Sequence, residues 1–142
     1  MTLYCVDTSA WHRSTTPAVA ARWGALLAND SIALCDQVRL EILYSARSAY
    51  DYERLAMELG GLHAIPMDHS TYARALEVQH RLALVGGLHH RSVNIADLLI
   101  AASAEHADTV VLHHDHDFDR IADVTGQPTE WVAPLPDTGV AP

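Results

Sequence analysis

The chain contains no lysine. Its nine Lys-plus-Arg positions are all arginine, set against eighteen Asp and Glu, and the formal net charge is −9 over 142 residues. That absence excludes mechanisms built on a lysine, including phosphate-loop nucleotide binding, Schiff-base catalysis and Ser-Lys dyads. The acidic balance also disfavours non-specific nucleic-acid binding, so an RNA or DNA substrate would need bound cations and a local Arg/His patch to offset repulsion. Cysteine is scarce. Cys5 and Cys35 lie in apolar segments with no CxxC or zinc-finger spacing, which reads as two buried free thiols. No apolar run is long enough for a membrane span. The opening "MTLYCVDTSAW" has no basic stretch ahead of its short apolar segment. It reads as a first buried strand and not a signal peptide, and the expected location is cytoplasmic.

What is present suits one globular domain: 49% of residues are hydrophobic, enough for a sizeable core. Short apolar runs alternate with helical periods. The pattern predicts strands at 2–6, 31–35, 62–66, 109–112 and 129–133. Helices are expected over 17–29, from an Asp36 cap to about Ala49, over 50–59, 68–84 and 93–106, and in a last short segment carrying Asp119 and Asp123. Strands separated by helices imply a parallel sheet with helices on both faces. "PLPDTGVAP" ends the chain as a Pro-containing tail.

Four carboxylates are out of keeping with their surroundings. In parallel α/β sheets, ligands sit beyond the C-terminal ends of strands. Asp7 directly follows "TLYCV" and Asp115 follows "TVVL" closely. A helix-capping role for Asp7 is as good a reading as a site role. Glu41, in "VRLEILYSAR", has no basic residue three or four positions away, and a solvated helix face is its ordinary reading. Asp97, in "VNIADLLIAAS", is the only charge in a long apolar run. A capping role with Asn94 as N-cap explains its position but not its apolar setting. Burying such a carboxylate is costly without a counter-ion, and a divalent cation is one such counter-ion.

These pieces together resemble the PIN-domain ribonucleases, specifically VapC-type toxins of toxin–antitoxin pairs. "CVDTSAW" is similar to the family's opening strand with its first Asp. "LEILYSAR" resembles the segment carrying the Glu, "HRSVNIADLLIAA" the segment around the third acid, and "LHHDHDFDRIA" the turn supplying the last acids. The resemblance implies an α/β fold: a PIN-like three-layer sandwich, its central, mainly parallel β-sheet flanked by helices, over residues 1–134, with 135–142 as tail. It matches Asp7, Glu41, Asp97 and Asp115 to the catalytic acids, and Asp7, Asp97, Asp115 and Asp117 to the metal ligands. Thr8 or Ser9 matches the polar residue supporting the first Asp. Mg²⁺ or Mn²⁺ is the implied cofactor, and hydrolysis of RNA (tRNA or rRNA) by metal-activated water the implied reaction. Implied partners are a VapB-type antitoxin and a second copy of the chain, with no membrane association. Arg91 with His89 and His90, and Arg13 beside the first Asp, are candidate RNA-phosphate contacts; solvent exposure or a salt bridge is an equally good reading of each. Trp11, Tyr44, Tyr50, Tyr52 and Leu55 are candidates for an antitoxin groove, although each taken singly is expected in the core. His113 departs from the pattern, standing where many relatives carry Ser or Thr.

Other readings remain. A housekeeping PIN nuclease of RNA processing shares every motif, and a degenerate, non-catalytic binding protein would share the fold. A haloacid-dehalogenase-type phosphotransferase also begins with a strand-end Asp. It needs a second Asp where Ser9 stands, and a lysine the chain lacks. A zinc site at His113, His114 and His116 is disfavoured, because adjacent residues of extended chain point to opposite sides and no partner Cys or HxxxH pair presents itself.

Overall fold

The computed structural model describes residues 2–134. The predicted tail, 135–142, lies outside the described residues. Five strands form one sheet among the described residues: β1 (Tyr4–Val6), β2 (Ile32–Cys35), β3 (His63–Ile65), β4 (Val110–His113) and β5 (Thr129–Trp131). Their order is β3-β2-β1-β4-β5 and every pairing is parallel. All four residues of β2 are buried, as are Cys5, Val6, Val111 and Leu112. This is why these strands read as continuous apolar runs and not as alternations.

The connections are α1 (Thr8–Trp11) and α2 (Pro17–Ala28), α3 (Asp36–Tyr44) and α4 (Ala49–Gly60), α5 (His69–Val85) and α6 (Ile95–His106), and α7 (His116–Thr125). Right-handed crossovers put the β1–β2 and β2–β3 connections on one face of the sheet and the β3–β4 and β4–β5 connections on the other. In keeping with this, α5, α6 and α7 pack on one another. The three-layer sandwich with a parallel sheet is therefore the observed architecture. The chain winds outward from β1 to β3, then returns to the opposite side of β1. That reversal makes the gap between the C-terminal ends of β1 and β4 the topological switch point, the place where such sheets bind ligands.

The predicted elements hold, with shifts at their ends. Asp36 is the first residue of α3, and Cys35 is the N-cap. That helix stops at Tyr44, not near Ala49. Asp68 does cap α5, in a capping box with Thr71. Asp30 and Asp108 take left-handed backbone at φ 54° and 55°, a turn conformation Asp tolerates well. β4 runs one residue further than expected and takes in His113, which is wholly buried. Tyr44, Tyr50 and Tyr52 were expected in the core; they are 92%, 78% and 46% exposed. The helical period places them on the outer face of α3 and α4, away from the packed stripe of Val38, Ile42 and Leu59. Cys5 and Cys35 are free and buried.

Candidate active site

Asp7 is a helix cap placed at the switch point. Its backbone N–H donates to the Leu112 carbonyl at 2.9 Å, continuing the β1–β4 pairing. Its side chain caps α1 by accepting from the Ser9 amide at 3.0 Å. The Ser9 hydroxyl also donates to the same carboxylate oxygen and accepts from the His114 amide at 2.9 Å. One serine thus ties the end of β1 to the turn after β4. Ser9, and not Thr8, supports the first Asp. Thr8 serves Glu41 instead, donating its hydroxyl at 2.8 Å across 33 positions, while Gln37 donates to the other oxygen at 3.3 Å. Glu41 is half-buried and held, so it is no free solvated acid.

On the other side of the switch point, Asp115 caps α7 by accepting from the Asp117 amide at 2.9 Å. Asp117 is engaged at both oxygens. Arg120 donates to one at 3.0 Å, and the Asn94 amide donates to the other at 2.9 Å. This second bond changes the reading of Asp97. In a capping box the third helical residue bonds back to the N-cap amide. Here Asn94 is the N-cap, but its amide is taken by Asp117 from α7, which leaves Asp97 free of capping duty. Asp97 is buried, 7% exposed. Its carboxyl is pushed up to about 9, first by loss of water and then by the carboxylates of Asp117, Asp7 and Asp115. Asp7 is also raised, chiefly by burial, with the Glu41 charge adding to it.

Asp97, Asp115 and Asp117 each present an oxygen within 4.8 Å of the others, and Asp7 and Glu41 flank that group. Asp117 therefore stands as close to the centre as Asp115, while Asp7 lies outside the tight group. The donor set is all carboxylate oxygen, which fits a hard cation such as Mg²⁺ or Mn²⁺. Such a cation would supply the counter-ion that burial of Asp97 calls for. The histidines assemble no comparable ligand group among the described residues. His113, His114 and His116 instead surround the Trp131 ring, with centroids 4.8, 5.2 and 4.9 Å away. The buried His113 ring accepts the Asp115 amide at Nδ1, 3.2 Å.

The candidate RNA contacts are spread around this centre. Arg13 is tied to the Ser9 carbonyl at 2.9 Å. His89, His90 and Arg91 form a 3-10 turn (His89–Ser92) ahead of α6; the histidines are half-buried and Arg91 is exposed. A cleft of about 440 Å³ beside that turn is lined by Gln79, His90, Arg91 and Asn94, and the amide of Asn94 also bonds Asp117. Arg120, which nothing in the sequence singled out, is an arginine in direct contact with the acid group. An Asp followed three residues later by Arg on a helix was the available clue.

The PIN domain family model matches residues 4–124. Ribonuclease VapC18 of Mycobacterium tuberculosis is 60% identical over 132 residues, 93% of this chain and 96% of that protein. Ribonuclease VapC21 of the same species is 42% identical over 92% of this chain and 94% of its own length. Among solved structures, DNA-bound VapBC from Salmonella typhimurium matches with a TM-score of 0.70 at 18% identity, covering 94% of this chain and 100% of that one. VapBC-5 from Mycobacterium tuberculosis matches with a TM-score of 0.57 at 23% identity, covering 92% and 98%. At these identities the structural likeness speaks for the fold.

Proposed function

Because the chain belongs to the PIN-domain family, we propose that it is the toxin of a toxin–antitoxin pair, a divalent-metal-dependent endoribonuclease. The observation that carries the reading is the convergence of Asp97, Asp115 and Asp117 at the switch point, with Asp7 and Glu41 held beside them. The ribonuclease names of relatives that align over almost the whole chain support the reaction class.

Each residue has a role its contacts suit. Asp97, buried beside the carboxylates of Asp117, Asp7 and Asp115, would be the central metal ligand. Asp115 spends one oxygen on its cap and keeps the other for the ion. Asp117 is oriented by Arg120 and by the Asn94 amide. Ser9 sets Asp7, and Thr8 with Gln37 sets Glu41. When bound, Mg²⁺ or Mn²⁺ supplies Lewis acidity at the scissile phosphate and activates water for its hydrolysis. No side-chain nucleophile is required, and the expected products carry 5′-phosphate and 3′-hydroxyl ends.

The exposed apolar side chains of Leu40 and Tyr44 on α3 and of Tyr50 and Met57 on α4 support docking of a VapB-type antitoxin. A second exposed apolar patch, Tyr72, Leu76 and Ile95 around one hollow between α5 and α6, supports a homodimer. Among the described residues no helix is long and apolar enough to cross a membrane. A cytoplasmic RNA target suits these features.

The test is RNA cleavage with Mg²⁺ or Mn²⁺, comparing the wild type with Asp97→Asn and Asp7→Asn. Both variants should fold and lose cleavage. Metal-independent cleavage retained by folded variants would overturn the mechanism.

A further inference from the structure

Resting on the ribonuclease reading, we propose that Trp131, His114 and His116 form a platform that stacks an unpaired nucleobase of the substrate beside Asp115. The first argument is electrostatic. A chain of net charge −9 with no lysine gains little from counter-ion release on RNA. Most of its arginines are already spent: Arg22, Arg54, Arg74, Arg81 and Arg120 are each paired with a carboxylate. Bound cations and remaining arginines such as Arg13 and Arg91 then offset repulsion, and contacts that do not depend on charge add to affinity; stacking on aromatic rings is the main such contact.

The second argument is geometric. Trp131 ends β5, beside the C-terminal end of β4, on the side of the sheet where the acids gather. It is half-buried, so part of its ring system remains open, and the His116 side chain is 62% exposed. His114 and His116 meet the indole edge-to-face, at 81° and 68°. The wholly buried His113 ring supports the indole from within, at 4.8 Å. Asp119 braces the assembly: one oxygen accepts the Trp131 Nε1–H at 3.2 Å, and the other meets His116 Nδ1 at 3.2 Å. Two rings are therefore fixed by one carboxylate before any ligand arrives, which lowers the ordering cost of binding.

The third argument is a shared anchor. The Ser9 hydroxyl accepts from the His114 amide at 2.9 Å and donates to Asp7, so the platform and Asp7 are held by one residue. A base stacked there would set its own phosphate next to Asp115, coupling base recognition to position at the acids.

The experiment uses the full chain in the Asp97→Asn background, which is expected to bind without cutting. A short fluorescent single-stranded RNA oligomer is titrated with this protein and with versions that also carry Trp131→Ala, Trp131→Phe or His116→Ala. Trp131→Ala should weaken binding about tenfold or more, since stacking contributes on that scale per base, and the loss should change little with salt. Trp131→Phe should recover most of it. On the Trp131-containing protein, an oligomer with one abasic site should show a similar loss, and combining it with Trp131→Ala should add little further. That comparison does not depend on how well Trp131→Ala folds. Tryptophan fluorescence should be quenched by RNA and lose that response in Trp131→Phe. Equal affinity for intact and abasic oligomers, with Trp131→Ala folded and binding normally, would overturn the platform while leaving the ribonuclease reading in place. Failure of the wild type to cleave or bind RNA at all would instead overturn the reading beneath it.

Discussion

Asp97 carries its carboxyl among other carboxylates in a buried setting, and its titration should be visible in the fold. Its folded value is raised from 3.8 to about 9, so it favours the folded state when protonated. Without metal, that contribution is fully present below 3.8 and is lost as pH rises toward 9. Melting temperature in chelator should therefore fall across that window, and Asp97→Asn should flatten the slope. Equal slopes for the two proteins would count against the burial argument. His113 shows the opposite sign. Burial lowers it from 6.5 to about 4, so its contribution is present above 6.5 and lost as pH falls toward 4. His113→Thr should remove that acid-side loss. At neutral pH it should cost about 2 kcal/mol, because a ring packed on Phe118 and Trp131 is replaced by a smaller side chain. Denaturant melts at several pH values would read both effects. The imidazole was visible in the sequence, but its isolation was not: nothing local indicates that a ring in "LHHDHD" is sealed between Phe118 and Trp131.

At the scale of elements, the site depends on helix ends. Asp7, Asn94 and Asp115 are the N-caps of α1, α6 and α7, and all three helix starts meet at the switch point. Helix N-termini favour nearby negative charge, which eases the gathering of several carboxylates there. Asn94→Ala removes the side-chain cap on the Ala96 amide but keeps the backbone bond to Asp117. It should cost about 1 kcal/mol, a fall of about 4 °C in melting temperature, with cleavage largely preserved. Thr8→Val should do the reverse. It frees Glu41 from its 2.8 Å donor, and it should lower cleavage by about 10- to 100-fold with little change in melting temperature. A matched set of melts and initial rates separates the two outcomes. Asp97 and Asp115 stood out locally, as a lone charge in an apolar helix and an acid after a strand, whereas Asp7 read equally as a cap and Glu41 as a solvated acid until the family resemblance grouped the four. The Thr8–Glu41 and Asn94–Asp117 bonds were not, since they span 33 and 23 positions and exist only once the sheet is assembled.

For the whole molecule, the acidic balance and the converged carboxylates make metal binding a term in stability. Mn²⁺ at about a hundred times its dissociation constant should add about 2.7 kcal/mol, seen as a rise in melting temperature that Asp97→Asn lacks. An equal rise in both proteins would move the ion to another site. The sequence by itself determined the fold class, because short buried runs alternating with helical periods admit few arrangements other than a parallel sheet between helices. It also pointed to the chemistry, because the four acid-bearing segments resemble the PIN-domain ribonucleases, and that resemblance implies hydrolysis with a hard cation. Only the tertiary structure decided which acids converge. Asp97, Asp115 and Asp117 close on one another while Asp7 and Glu41 flank them. It likewise decided that His113, His114 and His116 gather on Trp131. The reason is that periodicity along a chain specifies which face a residue occupies, whereas strand order and register specify which faces meet.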